Sequence, residues 1–134
     1  MKSKSSPTIS DAEWRILETL WTDHPATAED VVARLGSDSD WHPRTIKTLL
    51  HRLVRKGALE FTRDGKRYLY SPAVTREACI RAASRSFLDR VFGGAAAPAI
   101  VHMVEESRLT REDISRLKAI LEAKLDTGKK ARRK

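Results

Sequence analysis

The sequence is poor in the features that build disulfides and membrane spans. Its 134 residues include one cysteine, Cys79, which excludes an internal disulfide and leaves a thiolate metal site without a second sulfur ligand. No apolar run approaches the roughly 18 residues of a bilayer-spanning helix. The first lysines are not followed by the hydrophobic segment of a secretory signal. We therefore expect a cytoplasmic protein without membrane insertion, in which Cys79 is a buried free thiol.

Signatures of catalysis are also missing. The four histidines lack ligand spacing such as HExxH, and the chain contains neither a glycine-rich phosphate loop nor a nucleophile elbow. Acidic residues stand mainly at predicted helix starts, where the helix dipole favours them. The sequence therefore predicts a protein that is not an enzyme and that needs no cofactor or metal.

Acidic residues are absent from one long stretch, because none lies between Asp40 and Glu60. Residues 41–70 carry eight basic and two acidic side chains, whereas residues 1–40 carry four basic and eight acidic ones. A cationic window beside an acidic one indicates a surface that faces phosphates. Residues 127–134 add five basic residues, and we expect this tail to be disordered and to raise only non-specific affinity.

The acid-free stretch has the pattern of an amphipathic helix from Asp40 to Lys56. Pro43 suits the first turn because its φ is already fixed, and Gly57 suits a left-handed helix end. The apolar face, which must meet a core, consists of Ile46, Leu49, Leu50, Leu53 and Val54. The remaining faces carry Arg44, Thr45, Lys47, Thr48, His51, Arg52, Arg55 and Lys56. A helix that lies in the major groove of DNA explains this one-sided charge, and an ordinary solvated helix is the alternative.

Two shorter helices precede the basic one. A capping box at Ser10 starts a helix over residues 11–22. A second helix covers residues 27–36, between a threonine cap and a terminal glycine. Trp14 and Trp21 fall on the apolar face of the first helix, so we expect both in the core.

A β-hairpin is predicted after the basic helix. Strands at residues 59–63 and 66–71 flank Asp64-Gly65, a dipeptide typical of a type I′ turn with two positive φ angles. Three helices followed by a hairpin are the elements of a winged helix-turn-helix, here residues 8–72. The basic residues of this wing, which we expect near the DNA backbone, are Arg63, Lys66 and Arg67.

The chain beyond the hairpin returns to helices and lacks basic clustering. Three amphipathic helices are predicted, from Thr75 to Phe92, from about Ala97 past Val104, and from Thr110 to about residue 125. Such helices have few ways to bury their apolar faces alone, so we expect residues 73–126 to form a dimerisation region. Its expected contacts are Ile80, Phe87, Val91, Ile100, Met103, Ile114, Leu117 and Leu121. The alternative is a monomer in which these helices pack back onto the winged helix.

The predicted fold is therefore mostly α with a small two-stranded β wing, and its motifs resemble a known family. The similar segments lie at residues 9–14, 20–21, 25–27, 40–49, 52–57 and 68–72. They resemble the penicillinase and methicillin-resistance repressors of the BlaI/MecI type, over residues 9 to about 125. The resemblance implies a homodimer of winged helices that binds a palindromic operator in double-stranded DNA. It further implies repression of β-lactamase or related antibiotic-response genes, ended by a regulatory protease.

The resemblance also assigns roles along the basic helix. Base contacts fall to Arg44, Thr45, Thr48 and Arg52, and backbone contacts to Trp41, His42, Lys47 and Lys56. We add Arg55 of the same basic helix to the backbone contacts. The chemistry agrees, because arginine pairs with guanine O6 and N7, a threonine methyl meets the methyl of thymine, and lysine suits phosphate. Trp41 has a second interpretation, as a cap on the core.

The chain departs from the family at two places. His42 stands where the family has a serine before the proline, which changes the side chain available to cap the helix. The family is cleaved at an Asn-Phe bond in the fifth helix, and the aligned position here reads His102-Met103.

A function of a different class fits the same basic face. A winged-helix adaptor could bind an acidic protein there without binding specific DNA sequences. The dependence of DNA affinity on salt separates the two hypotheses.

Overall fold

The computed structural model describes residues 7–36 and 41–132, the last four of these by their backbone alone. Within these residues the elements are α1 (Asp11–Thr22), α2 (Ala28–Gly36), α3 (Pro43–Lys56), β1 (Leu59–Asp64), β2 (Arg67–Pro72), α4 (Arg76–Phe92), α5 (Ala96–Glu106) and α6 (Arg111–Arg132). The mainly helical fold with a two-stranded wing is confirmed. The basic helix begins at Pro43, and its predicted start at Asp40 lies outside the described residues.

Side-chain caps fix where the helices begin. The Ser10 Oγ accepts from the Glu13 amide at 3.2 Å, and the Glu13 Oε1 accepts from the Ser10 amide at 2.9 Å, so the predicted capping box is confirmed. Thr27 and Asp30 bond to each other's amides in the same way before α2, at 3.0 and 3.1 Å. Gly57, with φ of 84°, ends α3 in the left-handed conformation that glycine adopts at little cost.

The core of the winged helix lies between α1, α2, α3 and the hairpin. The apolar face predicted for α3 supplies its centre, because Ile46, Leu49, Leu50 and Leu53 are all buried there. Each such side chain stabilises the fold by about 1.5–3 kcal/mol through the apolar surface it removes from water. With this face buried, the basic side chains of α3 other than Lys56 are left exposed to solvent.

The two tryptophans of α1 lie outside the centre of this core. Trp21 is half-buried and packs at the edge of the core, whereas Trp14 is half-buried against the Trp21 ring, edge to face at 5.6 Å between centroids. The prediction that both lie in the core is therefore wrong for Trp14 and only partly right for Trp21. The reason is that Ile16, Leu17 and Leu20 already fill the core side of α1.

The hairpin turn differs from the predicted one. Strands β1 and β2 pair antiparallel from Leu59↔Pro72 to Asp64↔Arg67, which leaves Gly65 and Lys66 as the two-residue loop. Gly65 has a φ of 67°, and no residue other than glycine in the described chain has a positive φ. The type I′ turn on Asp64-Gly65 is therefore wrong, since a positive φ at the first loop position alone is the type II′ pattern.

The loop before α2 is tied to the wing. Ala26 and Tyr70 exchange two backbone hydrogen bonds, of 3.0 and 2.8 Å, and form an antiparallel bridge beside β2. The hairpin thereby gains a short third partner, which holds it against α2.

Helices α4 to α6 follow the predicted order, with one difference at the C-terminal end. Thr75 caps α4 by accepting from the Ala78 amide at 3.0 Å, and Thr110 exchanges hydrogen bonds of 3.0 Å with Asp113 at the start of α6. Helix α6 continues to Arg132, so the tail predicted to be disordered from residue 127 is helical that far. No proline interrupts it, and basic residues near a helix C-terminus interact favourably with its dipole.

Apolar side chains of α4, α5 and α6 are exposed. Of the residues expected at the dimer contact, Phe87 and Leu117 are half-buried and the others are exposed. The exposed fractions of the others run from 38% for Ile80 to 55% for Val91. In the part of the chain that the structure describes, these faces do not pack back onto the winged helix as the monomeric alternative requires, and the dimer stays a prediction.

Cys79 is a buried free thiol near the start of α4, as predicted. Burial raises the pKa of this thiol above its ordinary value. Within the part of the chain that the structure describes, no single helix is both long and apolar enough to cross a membrane. Helices α4 and α5 reach that length and apolar character only when taken together, and the angle between them is 97°.

Candidate nucleic-acid interface

The exposed face of α3 carries all four residues predicted to contact bases. Arg44, Thr45, Thr48 and Arg52 are exposed. Thr45, Thr48 and Arg52 follow one another at three and four residues, and Arg44 lies four residues before Thr48, which places them along one side of the helix. The Thr48 hydroxyl donates to the Arg44 carbonyl at 3.0 Å, which keeps its oxygen on the helix backbone. An exposed row of two arginines and two threonines can present guanidinium forks and methyl groups to base edges.

The N-terminus of α3 is capped by His42. Its Nδ1 accepts from the Arg44 amide at 3.0 Å, with Pro43 in the first helical position. Histidine therefore performs the capping that a serine would perform at this position. The capped helix end leaves a positive dipole on the side where the chain is expected to meet phosphate.

Trp41 packs on the core next to this helix end. It is half-buried against the core, and the Arg15 guanidinium lies 4.8 Å from its ring centroid. This geometry supports the interpretation of Trp41 as a cap on the core. Its half-exposed ring still lies beside the N-terminus of α3.

A cleft of about 250 Å³ joins α3 to the wing. Lys47 and His51 line it from α3, and Lys66 and Arg67 line it from the hairpin. Glu29 is the one acidic residue among the side chains that line this cleft. The structure thus brings the predicted wing residues Lys66 and Arg67 into one basic surface with α3.

Two arginines of the wing contact other residues of the hairpin. Arg63 does not line the cleft, and its guanidinium lies 5.8 Å from the Tyr68 ring centroid. Arg67 also forms an exposed ion pair with Asp64 at 3.3 Å, a contact that contributes little to stability. No DNA contact is predicted for His51 from the sequence, although His51 lines the cleft and its position four residues after Lys47 places it on the same helix face.

Lys56 has a different role from the one the sequence suggested. Its ammonium donates to Glu13 Oε1 at 2.5 Å and to the Thr8 carbonyl at 2.7 Å. Glu13 is fully buried, and its Oε2 has no hydrogen-bond partner among the described residues. A buried carboxylate needs a neutralising partner. The assignment of Lys56 to the DNA backbone is therefore replaced by a structural contact between α1 and α3.

The surroundings of Glu13 control its ionisation. Burial acts to raise the pKa of Glu13, but hydrogen bonds from Lys56 and Ser10 outweigh it and leave the pKa below its ordinary value of 4.5. The carboxylate is therefore charged at neutral pH, which keeps Lys56 bound to it.

The predicted cleavage position lies within a helix. His102 and Met103 are in α5 (Ala96–Glu106), and both are exposed. Their peptide bond is accessible at the surface but is held in helical geometry.

Comparison with known proteins shows which family this fold and surface belong to. The family model described as penicillinase repressor matches residues 9–123, from the segment before α1 to α6. The chain belongs to the penicillinase repressor family. The resemblance inferred from the sequence is confirmed.

Two relatives of the penicillinase repressor family match nearly full length. The penicillinase repressor of Bacillus licheniformis is 34% identical over 119 residues, which cover 89% of this chain and 93% of that protein. The methicillin resistance regulatory protein MecI of Staphylococcus aureus strain N315 is 30% identical over 116 residues, covering 87% and 94%. The alignment therefore includes the C-terminal helices as well as the winged helix.

A solved structure matches the winged helix. The solution structure of the Bacillus licheniformis BlaI monomeric form in complex with the blaP half-operator has a TM-score of 0.50 and 34% identity, and covers 55% of this chain and 90% of that one. As a member of the penicillinase repressor family, the chain is a DNA-binding transcriptional repressor and not an enzyme.

Proposed function

We propose that the chain acts in the cytoplasm as a homodimer that binds a palindromic operator and represses β-lactamase or related antibiotic-response genes. The observation that carries the proposal is the exposed acid-free face of α3, which continues through a basic cleft into the wing. In this proposal Arg44, Thr45, Thr48 and Arg52 contact base edges in the major groove. Phosphate contacts come from His42, Lys47, Arg55, Arg63, Lys66 and Arg67, and Trp41 lies beside the backbone from its place on the core.

A relative's complex supports this geometry. The BlaI structure of Bacillus licheniformis holds a monomeric form on a half-operator. An operator made of two halves calls for two recognition helices, and a two-fold dimer places one in each half. The exposed apolar faces of α4, α5 and α6 offer the surface through which two copies of this chain would pair.

A salt titration tests DNA binding against the adaptor hypothesis. A protein that contacts several phosphates releases their counterions, so the logarithm of its affinity falls with the logarithm of salt concentration, by about 0.9 for each contact. Five of the six proposed phosphate contacts in each protomer are lysine or arginine, so we expect a slope of about −9 for the dimer on duplex DNA. A flat dependence on DNA, with tight binding to an acidic protein, would support the adaptor instead.

The dimer is tested by placing charge on its proposed contact. Ile100→Glu together with Leu121→Glu should convert the full-length protein to a monomer in sedimentation, because both side chains are exposed in one copy and would be buried between two. Arg116→Glu is the control, because Arg116 is exposed on the side of the same helix away from Ile114 and Leu121, and it should leave the sedimentation coefficient unchanged. If both proteins sediment as dimers, the contact lies elsewhere.

Derepression is proposed to follow cleavage of the His102–Met103 bond. The bond lies within α5 and has to leave helical geometry before a protease can bind it in an extended form. In cells induced with a β-lactam, mass spectrometry should detect a fragment that ends at His102. Derepression with the chain intact, or with cleavage only at another bond, would contradict this mechanism.

A further inference from the structure

Beside the face that packs in the core, helix α1 has a second row of residues next to the start of α4. Trp14, Glu18 and Trp21 follow one another at four and three residues, which places them along one stripe of the helix. All three are half-buried. We refer to these three residues as the α1 stripe.

The α1 stripe holds the chain where it enters α4. The Trp21 Nε1 donates to the Val74 carbonyl at 3.0 Å. The Arg76 Nε and Nη2 both donate to Glu18 Oε2 at 3.2 Å, and the Trp14 Nε1 donates to the same oxygen at 2.9 Å. Two polar contacts, separated by one turn of α1, therefore fix the position and the direction of the first turn of α4.

Beyond its first turn, α4 is separated from the winged helix. A groove of about 550 Å³ lies between the segment Pro7–Ile9, with Trp14, and the α4 side chains from Cys79 to Arg90. The groove leaves the rest of α4 without close packing on this side. The angle between α4 and the winged helix therefore depends strongly on the α1 stripe.

We propose that the α1 stripe sets the angle between the winged helix and the dimerisation region, and so selects the half-site spacing that the dimer accepts. This inference rests on the proposed function. Two recognition helices joined through their C-terminal helices reach two half-sites only at a matching separation. Glu18 and Arg76 thus act as positioning residues, away from the DNA.

The exposure of the ion pair makes this role separable from stability. The Glu18 and Arg76 side chains are 42% and 50% exposed, and exposed ion pairs contribute little to the free energy of unfolding. The hydrogen bonds from Arg76 and Trp14 lower the pKa of Glu18, which keeps the carboxylate charged at neutral pH. Loss of the pair should therefore loosen the angle without unfolding the protein.

The test measures spacing preference with the full-length protein. Duplexes are first enriched from a random pool by the unmodified chain, and the inverted repeat obtained is then remade with spacers one and two base pairs longer or shorter. We expect Glu18→Gln and Arg76→Ala each to lower affinity for the enriched spacing by about fivefold, or about 1 kcal/mol. Affinities for the altered spacers and for an isolated half-site should stay within twofold.

A control and a double variant complete the test. Arg81→Ala removes an exposed arginine of the same helix and should not alter the spacing preference. Because Glu18 and Arg76 act through one contact, the double variant should lose no more than either single variant. An equal loss on every duplex, or no loss on any, would overturn the inference.

The proposed function can fail separately. If the unmodified chain enriches no inverted repeat, or sediments as a monomer, the dimeric repressor is wrong and the spacing role falls with it. If the inverted repeat is obtained and the variants keep the original preference, only the role of the α1 stripe is wrong.

Discussion

Replacing Lys56 by methionine is expected to lower the free energy of unfolding by about 3 kcal/mol, because it leaves the buried Glu13 carboxylate without its cation. Methionine keeps most of the apolar length of lysine, so the loss reports the charge and its hydrogen bonds. In a chain of this size, the midpoint of thermal unfolding should fall by roughly 10 °C. Urea and thermal denaturation measure both quantities.

Lys47→Met is the matched control in the same helix. Lys47 is exposed and lines the cleft next to the wing, so its loss should leave stability unchanged and weaken DNA binding. Lys56→Met should show the reverse pattern, with normal DNA affinity at a temperature where the variant remains folded. If Lys56→Met instead had normal stability and bound DNA more weakly, Lys56 would be a DNA contact.

The pH dependence of the same pair has a definite sign. In the unmodified chain the folded-state pKa of Glu13 is lowered from 4.5, so its stabilising effect is complete above pH 4.5 and is lost as pH falls through the folded-state value. Without Lys56, burial favours the neutral acid. The stability difference between the two proteins should therefore begin to shrink above pH 4.5, as Glu13 of the folded variant takes up a proton. It should be lost as pH falls through the lowered folded-state pKa of the unmodified chain. A difference that stays constant with pH would show that Glu13 is not the partner that matters.

Arg52→Ala is expected to weaken binding to the enriched operator by about 1–3 kcal/mol, roughly five- to 150-fold, with a much smaller effect on random DNA. Arg52 is exposed on the face of α3 proposed to read bases, where a bidentate contact to guanine discriminates between sequences. Fluorescence anisotropy with both duplexes at one salt concentration measures the ratio.

Arg55→Ala provides the contrast within the same helix. Arg55 is a proposed phosphate contact, so its replacement by alanine should weaken binding to both duplexes alike. The salt slope of the dimer should become less steep by about 2, which is about 1 for each protomer. Equal behaviour of the two variants would mean that Arg52 also contacts phosphate. Unchanged binding of Arg52→Ala to both duplexes would remove this residue from the interface.

Features that depend on nearby residues could be predicted from the sequence. The capping box at Ser10, the glycine end of α3 and the apolar face of that helix follow from spacings of three and four residues, and the structure has all of them. The basic character of α3 is equally local, since it needs only the absence of acids between Asp40 and Glu60.

Features that depend on distant residues could not be predicted in this way. Lys56 and Glu13 are 43 residues apart in the sequence, and Arg76 and Glu18 are 58 apart. Because each pair is so far apart, residue spacing within one helix does not indicate that the two side chains meet. The hairpin turn was misplaced because its centre depends on which residues of the two strands pair, and Asp64 pairs with Arg67. The length of α6 was underestimated because basic residues suggest disorder, although they also favour a helix C-terminus.

The bridge between Ala26 and Tyr70 has a consequence for the entropy of DNA binding. An isolated two-stranded hairpin is only marginally stable in water, whereas this one is anchored to the segment that leads into α2. The wing is consequently anchored to the rest of the winged helix in the chain without DNA. A binding surface that is already rigid loses less conformational freedom on association. We therefore expect little conformational entropy of the wing to be lost when DNA binds. We expect the wing to raise affinity by slowing the dissociation of the complex.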